Sequence, residues 1–226
     1  DVTYIGIFDA SLPTLQNMKW ADINAVGAAG AASAIFKRGD KKTVTLTTGE
    51  VITLRLEDFN HDDRSSGGKA PMTFMMVDGL NATAAMNSSN TNAGGWNSSA
   101  MRSRMSTYLS QLPADLRAVI KPVIKKTTAG SQSTSLQSTT DSLWIASMKE
   151  VGLLTTNAGL SGEGTTYPLF TDNASRIKKV NGSAANWWTR APRAGNSTSF
   201  SSVDSSGSND GNYASVSDGV VLGLCV

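Results

Sequence analysis

Hydrophobic and polar residues alternate most clearly in the stretch KKTVTLTTGEVITLRLEDF, residues 41–59. Val44 and Leu46 alternate with threonines, a Thr-Thr-Gly-Glu turn follows, and a second alternating run begins at Val51. Alternation on both sides of a glycine-containing turn is typical of a β-hairpin. The apolar run PMTFMMVDGL further along predicts another buried strand. A weaker alternation in DVTYIGIFDAS, residues 1–11, predicts a first strand.

Other stretches carry the three-to-four-residue apolar spacing that predicts helices. One begins at the candidate cap Thr14 and ends in the Gly/Ala run at 27–32. A helix–turn–helix is predicted for residues 99–127, with Pro113 at the start of its second helix. The short run LWIASMKEVGL, residues 143–153, predicts a strand that turns into a helix.

Long polar segments separate these elements, and one of them covers residues 127–142. The long segments are bracketed by Trp96, Trp144, Trp187 and Trp188. Disordered chains are poor in aromatic residues, and long loops in compact domains are otherwise functional. The pattern therefore predicts ordered loops on an α+β scaffold, with residues 1–226 forming a single domain.

Composition and charge exclude several classes of partner. Of the 226 residues, 39% are hydrophobic and only 17% are charged, and the net charge is +2. We expect no nucleic-acid partner, because the chain has neither a strong positive field nor a basic motif. We also expect no membrane insertion, because no apolar run approaches the ~20 residues of a membrane span. The single cysteine, Cys225, excludes an internal disulfide and is expected to be a small buried hydrophobe.

The only histidine, His61, lies in the motif DFNHDD, close to Asp58, Asp62 and Asp63. An alternative function is therefore a metal-dependent or carbohydrate-active enzyme centred on His61, Asp62 and Asp63. However, the chain has no G-x-S-x-G nucleophile motif, no second histidine and no phosphate-binding glycine motif. We therefore expect His61 to cap a loop or to hydrogen-bond with the backbone, and we expect no bound metal, no cofactor and no catalytic residue.

The final part of the chain, residues 186–221, has a composition of its own. Eighteen of the 26 residues from 193 to 218 are Ser, Asn, Asp or Gly. Isolated apolar residues such as Phe200 and Tyr213 interrupt them, which predicts two or three short strands with exposed loops. The ending GVVLGLCV predicts a closing strand that returns the chain to the core. A polar segment held at both ends is displayed on the surface, and this composition is typical of adaptable recognition surfaces.

Ligand contacts are therefore expected in this segment, with Tyr213 as the energetic anchor because an aromatic ring gives a large contact area. Trp187, Trp188 and Arg190 are expected to be structural. The tryptophans would pack beneath the strands, and Arg190 would satisfy buried carbonyls or a carboxylate. The expected ligand-binding residues are Asn196, Ser197, Ser199, Ser201, Asp204, Ser206, Ser208, Asn209, Asp210, Asn212, Tyr213, Ser215 and Ser217.

The run NWWTRAP, followed by the ending GVVLGLCV, resembles the W-W-L-R-S-P and G-V-R-P-A motifs of a bacterial and phage domain family of unknown function. Thr189 and Ala191 depart from this pattern, and the arginine of the last motif is absent, so its role does not carry over. The resemblance extends over nearly the whole chain. Its further blocks are WADINAVGAAGAASAIFKRGD, VITLRLEDFNHDD, GGWNSSAMRSRM, LPADLRAVIKPVIKKT, DSLWIASMKEV and GEGTTYPLF.

The terminal pattern is also similar to that of C-type-lectin-like domains, which include formylglycine-generating enzymes and the variable proteins of diversity-generating retroelements. The enzymes of this group rely on cysteines or a copper site, which the single cysteine argues against. The variable proteins display a ligand surface near the C-terminus. Mutagenesis at adenines converts their Asn codons to codons for Ser, Asp, Gly, Thr or Tyr, which fits the composition of residues 196–217.

The resemblance implies a C-type-lectin-like fold and non-catalytic receptor recognition on a phage virion or bacterial cell surface. The ligand would be a cell-surface protein or glycan, and a retroelement would diversify the binding segment. A purely structural virion module is the remaining alternative. A homo-oligomer is expected if the affinity of a single site is weak.

Overall fold

The computed structural model describes residues 14–226, so the strand predicted for residues 1–11 lies outside the described residues. The described chain has an α+β fold of short antiparallel strands and few helices. Its helices are α1 (Trp20–Ala28), α2 (Ala32–Ile35), α3 (Gly95–Ser98), α4 (Ala100–Gln111), α5 (Ala114–Arg117) and α6 (Asn173–Arg176), with a 3-10 turn at Ser161–Glu163. Its strands are β1 (Lys41–Thr45), β2 (Val51–Phe59), β3 (Met72–Met76), β4 (Ala84–Ala85), β5 (Val123–Thr128), β6 (Leu136–Asp141), β7 (Lys178–Val180), β8 (Ser183–Ala185), β9 (Trp187–Pro192), β10 (Ser199–Val203), β11 (Asn209–Tyr213), β12 (Ser217–Asp218) and β13 (Gly223–Cys225).

The largest sheet has four antiparallel strands in the order β1–β2–β3–β13. It contains the predicted hairpin, in which Thr45 pairs with Val51 next to the turn. Every residue of β3 is buried, as its continuous apolar run predicts. The closing strand β13 pairs with β3 and places Leu224 opposite Phe74. The C-terminal residues therefore return to the core, as the sequence predicts.

The helices agree with the sequence only in part. The predicted helix that begins near residue 99 is α4, where the Ser99 hydroxyl accepts a hydrogen bond of 3.0 Å from the Arg102 N–H. The earlier helix begins at Trp20 and not at Thr14. Thr14 instead closes a separate turn, because its carbonyl accepts from the Asn17 N–H at 3.0 Å.

Two predictions between residues 113 and 142 were wrong. The second helix of the helix–turn–helix ends at Arg117, and the chain then forms β5. Pro122 disfavours helical backbone at the residue before it, and the β-branched residues that follow suit a strand. The loop predicted for residues 127–142 contains β6, which pairs with β5 from Val123–Asp141 to Thr128–Leu136. Thr-rich polar strands carry little apolar periodicity, so the pattern did not reveal this hairpin.

The strand-to-helix transition predicted for residues 143–153 was also wrong. These residues form turns, and Trp144 makes an isolated bridge to Gly223. All residues from 143 to 148 are buried. A segment that is buried on every side has no polar face, so its apolar run does not distinguish a strand from irregular backbone.

The core is continuous along the described chain and extends from Leu15 to Val226. Four tryptophans that bracket the long polar segments are fully buried, as expected for ordered loops; these are Trp96, Trp144, Trp187 and Trp188. Within residues 14–226, no helix has the length and apolar character needed to cross a membrane.

Candidate functional site

The C-terminal sheet, which we define as β9, β10 and β11, carries most of the predicted ligand-binding residues. β9 lies on the opposite side of β10 from β11, and all six of its residues are buried, so we call it the inner strand of this sheet. The indole N–H of Trp187 donates to the Arg176 carbonyl at 3.0 Å, and that of Trp188 donates to the Ala84 carbonyl at 2.8 Å. The two tryptophans therefore fix the C-terminal sheet to two other parts of the chain, in the structural position that the sequence predicts for them.

The turn between β10 and β11 is held by its own side chains. The Asp204 carboxylate accepts from the N–H groups of Ser206 and Ser208 at 2.8 and 2.9 Å. Burial raises the pKa of Asp204, but a hydrogen bond of 2.7 Å from the Ser206 hydroxyl, together with these backbone bonds, outweighs it and lowers the pKa below its usual value. Gly207 has a φ of +83°, and a Cβ atom there would lie 1.9 Å from the Asn173 carbonyl oxygen. Only glycine fits this turn against α6.

Exposure separates the predicted ligand-binding residues into three groups. Ser197, Ser206, Tyr213, Ser215 and Ser217 are exposed, and Tyr213 has 55% of its surface accessible. A second group is half-buried and consists of Asn196, Asp204, Ser208, Asn209, Asp210 and Asn212.

Ser199 and Ser201 are buried, at 5% and 0% exposure, so the prediction that these two side chains are displayed was wrong. They lie in β10, the central strand of the C-terminal sheet, where all five residues are buried. A polar side chain on a central strand is covered from both sides. The amino-acid composition of the segment alone does not reveal this.

The half-buried side chains are held by internal hydrogen bonds. The Asn209 amide donates to the Leu153 carbonyl and the Thr155 hydroxyl, both at 3.2 Å. On the other face of β11, the Asn212 amide donates to the Asp218 carboxylate at 2.8 Å. These bonds fix the side chains in one arrangement, so little conformational entropy remains to be lost when a ligand binds.

Residues distant in sequence also hold this surface, and sequence reasoning missed them. The Asn92 amide donates to the carbonyls of Asn196 and Ser199 at 2.7 and 2.8 Å. The Asn90 side-chain oxygen Oδ1 accepts from the Ser215 hydroxyl at 2.5 Å. Both asparagines lie about a hundred residues from their partners, in a segment whose polar composition resembles any loop, so no local signal identifies them. We call the exposed residues Ser197, Ser205, Ser206, Tyr213, Ser215 and Ser217, together with the half-buried Asn209, the display surface.

Arg190, on β9, belongs to a second feature, a buried ion network of Asp62, Lys125, Glu150 and Arg190. The Arg190 guanidinium binds the Glu150 carboxylate through two hydrogen bonds of 2.5 and 2.8 Å. It also donates to the carbonyls of Ile145 and Glu163 at 3.0 and 2.6 Å. Buried carbonyls and a carboxylate are the partners that the sequence predicts for this arginine.

Lys125 completes the network. Its Nζ atom donates to Asp62 at 2.5 Å and to Glu150 at 3.1 Å, and it lies 3.4 Å from the centre of the Trp144 ring. Burial raises the pKa of Asp62, but Lys125 and a hydrogen bond from Thr73 hold it well below its usual value. Burial likewise raises the pKa of Glu150, and the nearby Arg190 and Lys125 lower it. Two positive and two negative charges therefore balance inside the core.

An open cleft of about 230 Å³ lies over this network and is lined by His61, Asp63, Lys126, Glu163 and Thr165, among others. The His61 Nε2 atom is 2.8 Å from the Thr165 hydroxyl, and the imidazole ring lies 4.2 Å from the Tyr167 ring, centre to centre. This partner is a side chain from a distant segment and not a backbone group, so the hydrogen bond differs from the one that the sequence predicts for this histidine. Burial raises the pKa of Glu163 to about 7.

Of the alternative centre at His61, Asp62 and Asp63, the first two lie together, with His61 Nδ1 3.5 Å from an Asp62 carboxylate oxygen. Both Asp62 oxygens already accept hydrogen bonds, one from Lys125 and the other from Thr73. Asp63 is 62% exposed and pairs with Lys69 at 2.7 Å. No group of three His, Cys, Asp or Glu side chains that could hold a metal ion occurs within residues 14–226.

Comparison with family models places residues 72–226 in one family, described as "Domain of unknown function (DUF6273)". The chain belongs to this family. The matched region contains the C-terminal sheet and three members of the ion network, Lys125, Glu150 and Arg190, and it begins after Asp62. The blocks of resemblance between residues 20 and 63 therefore precede the matched region. No curated protein and no solved structure matches the chain significantly.

Proposed function

We propose that this DUF6273 member is a non-catalytic recognition module that binds its ligand through the display surface. The observation that carries the proposal is the arrangement of the C-terminal sheet. Its inner strand is fully buried, whereas its outer strand β11 has no buried residue. Small polar side chains and one exposed tyrosine are thus presented on a rigid support. Such a surface suits recognition, because a ligand meets side chains that are already in place.

The fold proposal is more specific than α+β. We assign the chain a C-type-lectin-like architecture, in which long ordered loops and a small C-terminal sheet are held by a closing strand. The pairing of β13 with β3 and the four buried tryptophans support this assignment. The module would act on a phage virion or bacterial cell surface, and its ligand would be a cell-surface molecule. The balance of charges in the ion network favours binding over catalysis, because it leaves neither Asp62 nor Glu150 free to act on a substrate.

A cell-binding experiment tests this function. The fluorescently labelled full chain is incubated with a panel of bacterial strains and with an array of immobilised glycans. The triple variant Ser206→Lys, Tyr213→Ala, Ser217→Lys removes the proposed surface. The matched control is Ser106→Lys, Val51→Ala, Ser110→Lys, because these residues are also exposed but lie outside the C-terminal sheet.

We expect the first variant to lose at least about tenfold in binding, as truncation of an aromatic anchor typically does, and the control to bind like the wild type. Both variants should keep their unfolding temperature, because no substituted side chain is buried. Equal binding by the two variants, or no binding to any strain or glycan, contradicts the proposal.

A further inference from the structure

Strand β11 is an edge of the C-terminal sheet, and its hydrogen-bonding pattern leaves one side open. In an antiparallel pair, alternate residues bond to the neighbouring strand and the residues between them point their N–H and C=O groups away. Ser208 and Ala214 bond to the β10 side, to Asp204 and Thr198. Every second residue between them does the same, so the backbone of Gly211 points outward. Among residues 14–226, no group outside the β10–β11 pair bonds to the N–H or C=O of Gly211.

A positive charge lies beside this open backbone. A Cβ atom on Gly211 would lie 2.2 Å from Nη1 of Arg193 and 2.8 Å from its Cδ atom. The Arg193 side chain therefore crosses the strand where Gly211 has no side chain, and it reaches the sheet edge. Arg193 makes no ion pair within the described part of the chain. Asp210, next in sequence, points to the opposite face of β11, where the Asn186 amide contacts it at 3.4 Å.

Tyr213 extends this face along the strand. Side chains two residues apart on a strand share a face, so Tyr213 lies on the same face as the position of Gly211. Its ring is 55% exposed and offers an apolar surface next to the Arg193 charge. The edge therefore presents, side by side on one face, a cation over Gly211 and an aromatic ring at Tyr213.

Several other sheet edges in the structure are covered, fully or in part. On β9, the Arg190 N–H donates to the Ala146 carbonyl at 2.8 Å, and the Trp188 N–H donates to the Gly219 carbonyl at 3.0 Å. On β1, the Gln16 side chain accepts from the Thr43 N–H at 2.8 Å. The edge of β6 is partly covered, because Arg102 donates to the Thr140 carbonyl at 3.3 Å.

We propose that β11 binds an extended peptide segment of a protein partner by strand addition, and that this segment carries an acidic residue opposite Gly211. The N–H and C=O groups of Gly211 would bond to the peptide backbone, as in other complexes formed at sheet edges. Directly opposed side chains lie about 5 Å apart on one face, so an Asp or Glu opposite Gly211 contacts the Arg193 guanidinium. An apolar residue two positions away contacts Tyr213. This inference rests on the proposed function and narrows the ligand to a peptide with an acidic and an apolar residue on one face.

A displayed library of random decapeptides, selected on the immobilised full chain, tests the proposal. Peptides with an Asp or Glu two residues from an apolar residue should be enriched. Gly211→Pro removes the outward N–H without removing a bond to β10, and proline is tolerated at such positions of edge strands. Binding of the selected peptides should fall at least about tenfold in this variant. The control Ser138→Pro makes the same change at the edge of β6 and should leave binding unchanged.

Two further variants separate charge from backbone pairing. Gly211→Ala keeps the N–H but displaces the Arg193 side chain, and Arg193→Gln removes the charge. Both should bind acidic peptides and their Asn or Gln analogues equally, whereas the wild type prefers the acidic form. If Gly211→Pro does not fold, amide exchange measured by NMR on the wild type replaces it. The Gly211 amide should become protected when peptide is added, and the Ser138 amide should not.

Strand addition is overturned if no peptide is enriched, if the selected peptides bind Gly211→Pro as well as the wild type, or if the Gly211 amide stays unprotected. The proposed function has a separate outcome. If strains or glycans lose binding with the triple display-surface variant but not with Gly211→Pro, the recognition surface is correct and the peptide ligand is wrong.

Discussion

Arg190 and Glu150 form a two-pronged ion pair in the core, with distances of 2.5 and 2.8 Å and both side chains at least 98% buried. The two residues come from segments forty positions apart in sequence. Arg190 stands three residues after Trp187, so one short motif supplies both the aromatic anchor of the C-terminal sheet and the last charge of the ion network.

Breaking this pair should strongly destabilise the protein. Arg190→Met leaves Glu150 buried with Lys125 as its only cation, and removal of one partner of a buried pair typically costs about 3–5 kcal/mol. Urea unfolding at pH 7 measures the change in the free energy of unfolding. The matched control is Arg193→Met, because Arg193 is half-buried and makes no ion pair among residues 14–226; it should change stability by less than about 1 kcal/mol. Similar losses for both variants would mean that the ion pair does not stabilise the core.

The buried Glu163 should make the protein less stable as the pH rises from 4.5 to 7. Burial raises its pKa from 4.5 to about 7. Between these values the folded state holds a proton that the unfolded state has released, so raising the pH favours unfolding. The full effect is up to about 3 kcal/mol. Urea unfolding across this range should show the decrease in the wild type but not in Glu163→Gln, whereas Asp63→Asn, at an exposed carboxylate, should keep it.

The buried Lys178 should make the protein more stable as the pH rises from 8 to 10.5. It is fully buried, its Nζ atom donates to the Met76 carbonyl at 2.9 Å, and burial lowers its pKa from 10.5 to about 8. Between pH 8 and 10.5 the unfolded state holds the extra proton, so the folded state gains stability as the pH rises. Lys178→Met should remove this gain and raise the unfolding temperature at pH 7. Lys179→Met, at the exposed neighbour, should do neither. A wild-type unfolding temperature that does not rise over this range relative to Lys178→Met would contradict the interpretation.

If a retroelement diversifies the binding segment, natural variation should follow exposure. Sequencing the coding locus in several isolates should reveal substitutions at Ser206, Asn209 and Tyr213 but not at Ser201 or Ser202, which are fully buried. A near-repeat that differs at adenines, beside a reverse transcriptase gene, should lie nearby. An invariant segment without such a repeat would contradict diversification and would leave the recognition proposal to the binding experiments.

The sequence predicted the elements that bury one face and expose the other. The hairpin of β1 and β2 has one face toward the core, so its period of two is visible. By contrast, the inner face of β5 carries Lys125, a charged residue that is buried because Asp62 and Glu150 neutralise it. A polarity pattern assigns such a lysine to solvent, and the strand is then missed.

The candidate site shows the same limit. The display of the polar C-terminal segment between buried anchors, and the burial of its tryptophans, follow from composition and from the apolar residues at each end. The roles of Asn92 and Arg193 do not, because each depends on which distant backbone the side chain meets. Ser199 and Ser201 were placed on the wrong side of the surface for the same reason, since serine is common both in exposed loops and on covered strands.

The ion network also has a consequence for how the chain acquires its structure. Its four members are spread from Asp62 to Arg190, and Glu150 lacks its bidentate partner until Arg190 is in place. Contacts between such distant residues slow folding, because a large loop must close before they form. No part of the chain that ends before Arg190 can complete this centre. The fold should therefore assemble in one late cooperative step. New sequences in the β10–β11 turn can arise without altering the four residues that complete the ion network.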